Sequence, residues 1–301
     1  MEMLLRCEVD AGELVRAHPP VIGHAHKRMV TELCGLQTTG RVVVSRWRAG
    51  DITSTWHDTE VIAERGHYRY DAASDGVWHV NFADPALFVA YGSALLAQDE
   101  LQCLEHPILG SVRELLDAED QAWTETRGER GVPTPVLVAG AERRCALDTR
   151  RLYGNQFARA SADDVRAALQ ILAPPTRSNI VAMAAPVGSG AYTREDLEQI
   201  LVTATTGFAA AVAESARLWP GTPVEVRTGF WGCGAFGGNR HVMTILQIAA
   251  ARLAGIARLR FYAFDDAGQA VLADARAFEL GDDPIAAVLA RGYRWGMSDG
   301  N

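Results

Sequence analysis

Polar and apolar positions change their rhythm along the chain. From residue 77 onward, short continuous apolar runs alternate with stretches whose apolar residues recur at helical spacing. The runs are VWHVNFA (77–83), PVLVAGA (135–141), NIVAMAA (179–185), VEVRTG (224–229) and RLRFYAF (258–264). Short runs rich in β-branched and aromatic residues predict strands buried on both faces. Between them the spacing predicts helices over Gln98–Asp117, 161–172, 193–218 and 239–255. Ser161 reads as a helix N-cap, and Thr193 with an acid three residues on reads as a capping box. Repeated β–α alternation predicts an α/β fold with a mostly parallel sheet and helices on both faces.

Residues 1–76 read differently. A helix near 24–36 precedes two strand candidates, RVVVSRW (41–47) and TEVIAE (59–64). This part is expected to be an α+β extension packed on a main domain spanning 77–301. Two segments read as connectors, TETRGERGVPTP (124–135) and APPTRS (173–178), because Gly and Pro interrupt regular pairing. No repeat or low-complexity tract stands out.

Composition narrows the classes. The 301 residues are 48% hydrophobic and 22% charged, an ordinary globular balance. A formal net charge of −8 argues against tracking along nucleic acid. One anionic ligand remains compatible, because helix ends and glycine loops bind anions without side-chain charge. No apolar run reaches the roughly 18 residues of a membrane span. The start of the chain does not read as a signal peptide. Five scattered cysteines, with no C-x-x-C pair, favour reduced thiols and a cytoplasmic location. His24 and His26 stand two apart without an accompanying carboxylate or cysteine cluster, so no metal is expected there. Lys27 is the only lysine among 29 basic residues, a bias of GC-rich genomes.

The stretch TGFWGCGAFGGNRH (228–241) sits between the run VEVR and a predicted helix. Strand, glycine loop and helix N-terminus form an anion-binding geometry. GCGAFG (232–237) also fits the dinucleotide-binding pattern G-x-G-x-x-G. However, the acid ending the next strand, Asp265, lies 28 residues past Gly237, against about 20 expected. That fingerprint also usually follows a first strand rather than a late one. A nicotinamide-dependent oxidoreductase is therefore one open alternative.

The same stretch, followed by RFYAF, resembles the C-terminal signature of poly(ADP-ribose) glycohydrolases. The resemblance implies a macrodomain-like fold, a mixed and mostly parallel sheet flanked by helices. It implies that Gly234, Ala235, Phe236 and Gly237 contact the diphosphate and distal ribose of an ADP-ribose-like or NAD-derived ligand. Phe264 matches an aromatic that lines the family's pocket. Tyr153, in LDTRRLYGNQF (147–157), falls where the family carries a stacking aromatic, with Asn155 beside it. No cofactor and no membrane or nucleic-acid partner is implied.

The family's other signature is a VDFAN-like strand, a triple glycine and then Gln-Glu-Glu. Here VNFADPALFVAYGSALLAQDE (80–100) keeps the spacing. Gln98, Asp99 and Glu100 fall on the triplet, and Asp84 stands in place of the asparagine. The resemblance makes Glu100 the general acid/base and Asp99 its neighbour, while Asp84 and Gln98 would face the ligand. Paired acids suit cleavage of a ribosyl bond: one protonates the leaving group and then activates water. A second acid beside it raises the first one's proton affinity. The residue-level alternative is a solvated helix start whose acids favour the positive dipole end.

Several positions depart from the family. Phe88, Val89 and Ala90 replace the triple glycine, and their side chains are expected to occupy ligand space. Asp84 adds charge beside an anionic ligand. Phe230 replaces the asparagine of GNWGCG and is expected to reshape the pocket. Asp99 is one methylene shorter than glutamate. Two readings follow: a glycohydrolase with an altered ribosyl substrate, or a non-catalytic module that binds ADP-ribose or a nucleotide.

Overall fold

The computed structural model describes residues 1–50, 55–70, 74–281 and 283–300. Its elements run in the order β1 (Glu2–Asp10), α1 (Ala11–Ala17), α2 (Ala25–Cys34), β2 (Arg41–Arg48), β3 (Glu60–Glu64), β4 (Val77–Ala83), α3 (Gln98–Glu105) and α4 (Ile108–Glu119). There follow β5 (Val136–Leu147), α5 (Gln156–Arg159), α6 (Ala162–Ala168), β6 (Leu169–Ala184), α7 (Arg194–Leu218), β7 (Glu225–Thr228), α8 (Arg240–Ala254), β8 (Arg258–Tyr262), α9 (Asp266–Ala277) and α10 (Pro284–Leu289).

All eight strands form one sheet in the order β1-β2-β5-β6-β4-β7-β8-β3. From β6 to β3 every neighbour is parallel; β1, β2, β5 and β6 pair antiparallel. The architecture is thus a mixed, mostly parallel sheet with helices on both faces, as the alternation predicts. The boundary expected at 76/77 falls between β3 and β4, and strands from both sides of it share this sheet.

The central strands are apolar on both faces because each face has its own helical cover. Val43, Leu137, Ala139, Val181 and Met183 pack with α7 and α8. Their alternate neighbours Val42, Val44, Val136, Val138, Ile180 and Ala182 pack with α1 and α4. A two-residue side-chain period distributes one apolar run over two cores.

Three local expectations are corrected. The helix over 98–117 is two helices, α3 ending at Glu105 and α4 beginning at Ile108. Pro107 has no amide hydrogen to donate and restricts His106 before it, so the helix breaks there. The helix over 161–172 ends at Ala168. The connector APPTRS lies inside β6, whose Thr176, Arg177 and Ser178 pair with Arg143, Glu142 and Ala141 of β5. The register shifts at the prolines, which cannot donate to the ladder, and pairing resumes beyond them.

Candidate functional site

Four parallel strands end at one cleft. Ala83 closes β4 and Asp84 follows it, Ala185 follows β6, Gly229 follows β7 and Tyr262 closes β8, and all line a cavity of about 680 Å³. The carboxyl ends of parallel strands are where open α/β sheets place ligands, and this volume lies in the usual range for small-molecule sites.

One wall is the glycine loop after β7. Trp231 is fully buried and its Nε1 donates to Met183 O at 2.9 Å, which pins the loop to β6. Gly237 has φ +68, in the left-handed region that glycine adopts without strain. A Cβ on Gly238 would stand 2.7 Å from Gly232 O, so the loop closes on itself there. Asn239 caps α8, its side chain accepting from the His241 and Val242 amides. Gly234, Ala235, Phe236 and Phe230 line the cavity. Gly237 is not among its lining residues; it serves the turn, and its carbonyl accepts from Gly296 N at 2.7 Å. The C-terminal segment runs along this loop. Asp299 Oδ2 lies 3.1 Å from where a Cβ on Gly234 would stand, and Asn155 Nδ2 donates to Gly300 O at 3.1 Å.

The opposite wall is built by β4, the 84–97 loop and the first turn of α3. Asp84, Val89, Ala90, Gln98, Asp99 and Glu100 line the cavity. The solvated-helix-start alternative fails on burial: Asp99 is 6% and Glu100 5% exposed. Glu100 Oε2 accepts from Ala97 N at 2.9 Å, satisfying an amide of the helix N-terminus. Asp99 Oδ1 accepts from Asn81 Nδ2 at 2.9 Å, with the Cys103 thiol at 3.7 Å. Burial and then the Glu100 charge push the Asp99 carboxyl up to about 7, against the opposing pull of Asn81. Gln98 is a peg: its Oε1 accepts from Phe82 N at 2.6 Å and its Nε2 donates to Val80 O and Tyr70 Oη.

The expectation for Phe88 is overturned. Its side chain is fully buried among Leu87, Tyr91, Leu109 and Val112 and is not among the cavity-lining residues. Its backbone takes φ +51, a turn a bulky residue adopts only under strain. Val89, half exposed, and Ala90 do line the cavity, as expected of side chains in this stretch. Phe230 also lines it, under the Arg240 guanidinium at 4.6 Å from the ring centre.

Phe264 and Tyr153 complete the rim, with the His67 ring edge-on to Phe264 at 4.7 Å. Phe264 too has positive φ, +58. The sequence reading misses the rim cations Arg150, Arg159 and Arg240. Arg240 has a signal, since it directly follows the glycine loop at the start of α8. Tyr68 and Tyr70 are also missed; no pattern ties their segment to the cleft. Asp265, the acid a dinucleotide reading needs for its ribose, instead caps α9 by accepting from Gly268 N at 2.7 Å. His24 and His26 fall at the start of α2, the helix expected near 24–36.

The architecture is macrodomain-like, with a cleft at the strand ends where a glycine loop meets a helix that begins with buried acids. Residues 135–270 match the family described as Poly (ADP-ribose) glycohydrolase (PARG), Macro domain fold. Over this stretch the chain is similar to that family. Among solved structures it is similar to the poly(ADP-ribose) glycohydrolase of Thermomonospora curvata bound to the inhibitor ADP-HPD. The identity is 17%, the coverage 94% of this chain and 97% of that one, and the TM-score 0.49. It is also similar to the Deinococcus radiodurans enzyme in complex with ADP-ribose, at 16% identity, 75% and 86% coverage and a TM-score of 0.44. A search of curated proteins finds no match. Among the described residues, no helix is long and apolar enough to cross a membrane.

Proposed function

We propose that the protein is a glycohydrolase that cleaves a ribosyl bond of an ADP-ribosyl or NAD-derived conjugate. The observation that carries this reading is the placement of Glu100 and the Gly234–Phe236 backbone on facing walls of one cavity. The similar Deinococcus radiodurans protein was solved with ADP-ribose, which agrees with a ligand of that kind.

In this reading the diphosphate lies along the glycine loop, near the start of α8 and Arg240, where amide groups and the helix dipole favour an anion. Phe264, with Tyr153 across the rim, offers a ring face to a nucleobase. The Glu100 carboxyl gives its proton to the leaving atom as the anomeric C–O or C–N bond breaks. The resulting carboxylate then takes a proton from a water whose oxygen bonds to the anomeric carbon. Asp99, protonated up to near neutrality, can donate to a ribose hydroxyl oxygen while Asn81 holds its other side.

A second reading, a binding module without turnover, is favoured by Val89 and Ala90, whose side chains enter the cavity where the family has glycines. The two separate in one assay. Poly(ADP-ribose), mono-ADP-ribosylated protein and NAD are each incubated with the protein, and released ADP-ribose is measured. The proposal expects release from at least one substrate. It also expects loss of at least roughly a hundredfold in Glu100→Gln, with ADP-ribose binding retained. Tight ADP-ribose binding with no release from any of the three would establish the module instead.

A further inference from the structure

Lys27 is the only lysine of the chain, and its side chain is completely buried, 0% exposed. It lies in the first turn of α2, which packs against α3. An ammonium withdrawn from water is costly unless fixed acceptors and opposite charge surround it. Lys27 has both. Its Nζ donates to Tyr91 O at 2.8 Å, in the loop that carries Phe88, Val89 and Ala90. Burial acts on it most and brings it down to about 8, opposed by Glu100, Cys103 and Asp99 of α3, which favour its charged form. The N-cap His24 and the α2 residues His26 and Arg28 are its titratable and charged neighbours on its own element.

The segment around Lys27 grips the same loop at other points. Gly23 N and His24 N donate to Gly92 O at 3.0 and 2.9 Å. Tyr91 Oη accepts from Val21 N and donates to Glu114 Oε1 at 2.9 Å. The loop that replaces the family's glycines is therefore fastened from behind by residues 21–27, and the one cation among them lies within electrostatic reach of the acids of α3.

We propose, resting on the reading above, that Lys27 is a positioning residue for the glycohydrolase reaction. Its ammonium fixes the main chain of the 88–92 loop against α3 and offsets the negative charge of the Glu100/Asp99 pair. The side chain itself is sealed from the cavity, so it acts through the loop and the acids and never touches the substrate.

Because there is one lysine, [13C,15N]lysine labelling gives a single lysine side-chain signal whose shift can be followed with pH. The proposal expects its midpoint to fall by about half a pH unit or more in Glu100→Gln, because an attracting anion is gone. In Glu198→Gln, an exposed acid on α7, it should not move. An unmoved midpoint in Glu100→Gln overturns the proposal. The second arm is the pH–rate profile of ADP-ribose release by Lys27→Met. Without the ammonium the carboxylate is harder to form, so the acid limb should shift upward by roughly one pH unit, a tenfold loss on that limb. A folded Lys27→Met with the wild-type profile also overturns it. Should Lys27→Met not fold, the labelling arm decides on intact lysine. Coupling in the labelling arm together with no release by the wild type would count against the glycohydrolase reading and end the positioning role, while leaving the electrostatic link.

Discussion

On one wall of the cleft the chain turns through Gly237 at φ +68; on the other it turns through Phe88 at φ +51. The backbone conformations are alike and the means are opposite. At Gly237 the absent Cβ removes the steric cost, and the freed space is taken by Gly296 O, 3.0 Å from where a Cβ would stand. At Phe88 the steric cost of roughly 1–3 kcal/mol is borne and offset by burying a whole phenyl ring in the α1/α4 core. A family glycine position can therefore be filled without filling the ligand space, provided the new side chain leaves through the back of the loop. Val89 and Ala90, which follow it, keep the cavity side.

That contrast is broken most severely by Phe88→Gly. Restoring glycine relieves the positive φ but empties a packed site. The expected result is a net loss of about 3 kcal/mol in chemical denaturation, since deleting a buried Phe costs about 3–5. A stabilised variant would show that the strain at Phe88 outweighs its packing.

Asp99→Asn sharpens the difference in charge between the walls. The Asp99 carboxyl is held up near 7 in the fold and returns to the ordinary range, near 3.8, on unfolding. Between those values the unfolded chain ionises while the folded one stays protonated, so this group makes stability fall as pH rises from about 4 to about 7. The variant should flatten that slope in thermal melts across the window. An unchanged slope would mean that Asp99 is ionised in the fold.

The smallest effect is expected at the glycine-loop wall. Arg240→Ala removes a half-exposed cation above Phe230 at the start of α8. ADP-ribose affinity, measured by calorimetry, should weaken by about 0.5–1 kcal/mol, a few-fold, and more at low salt than at high. Unaltered affinity at both salts would place the diphosphate away from this end of the loop.

How much of this was legible depended on how local each signal is. The apolar runs that became β4, β7 and β8 carried their own evidence, and so did the Ser161 cap of α6 and the capping box of α7: Thr193 Oγ1 accepts from Asp196 N at 3.1 Å as predicted. APPTRS was misread because β5 overrides two prolines by pairing beyond them, a nonlocal effect. β1 was missed because its one-sided pairing at the sheet edge leaves a mixed polar pattern. The register of Gln98, Asp99 and Glu100 against the glycine loop could be inferred only by resemblance, yet those residues do line one cavity. The direction of Phe88 was not readable, since in an irregular loop no periodicity says which side a residue faces. The rim arginines and the C-terminal segment beside Gly234 meet the cleft only through tertiary folding.

The account stands on the two walls enclosing one nucleotide, and a crystal structure of the Glu100→Gln variant with ADP-ribose tests it most directly. The predicted result is diphosphate density against Gly234–Phe236, with the terminal ribose facing residues 99 and 100 and the Phe88 ring still turned into the core. Nucleotide bound outside the cleft, or a cleft left empty at saturating ligand, would contradict it.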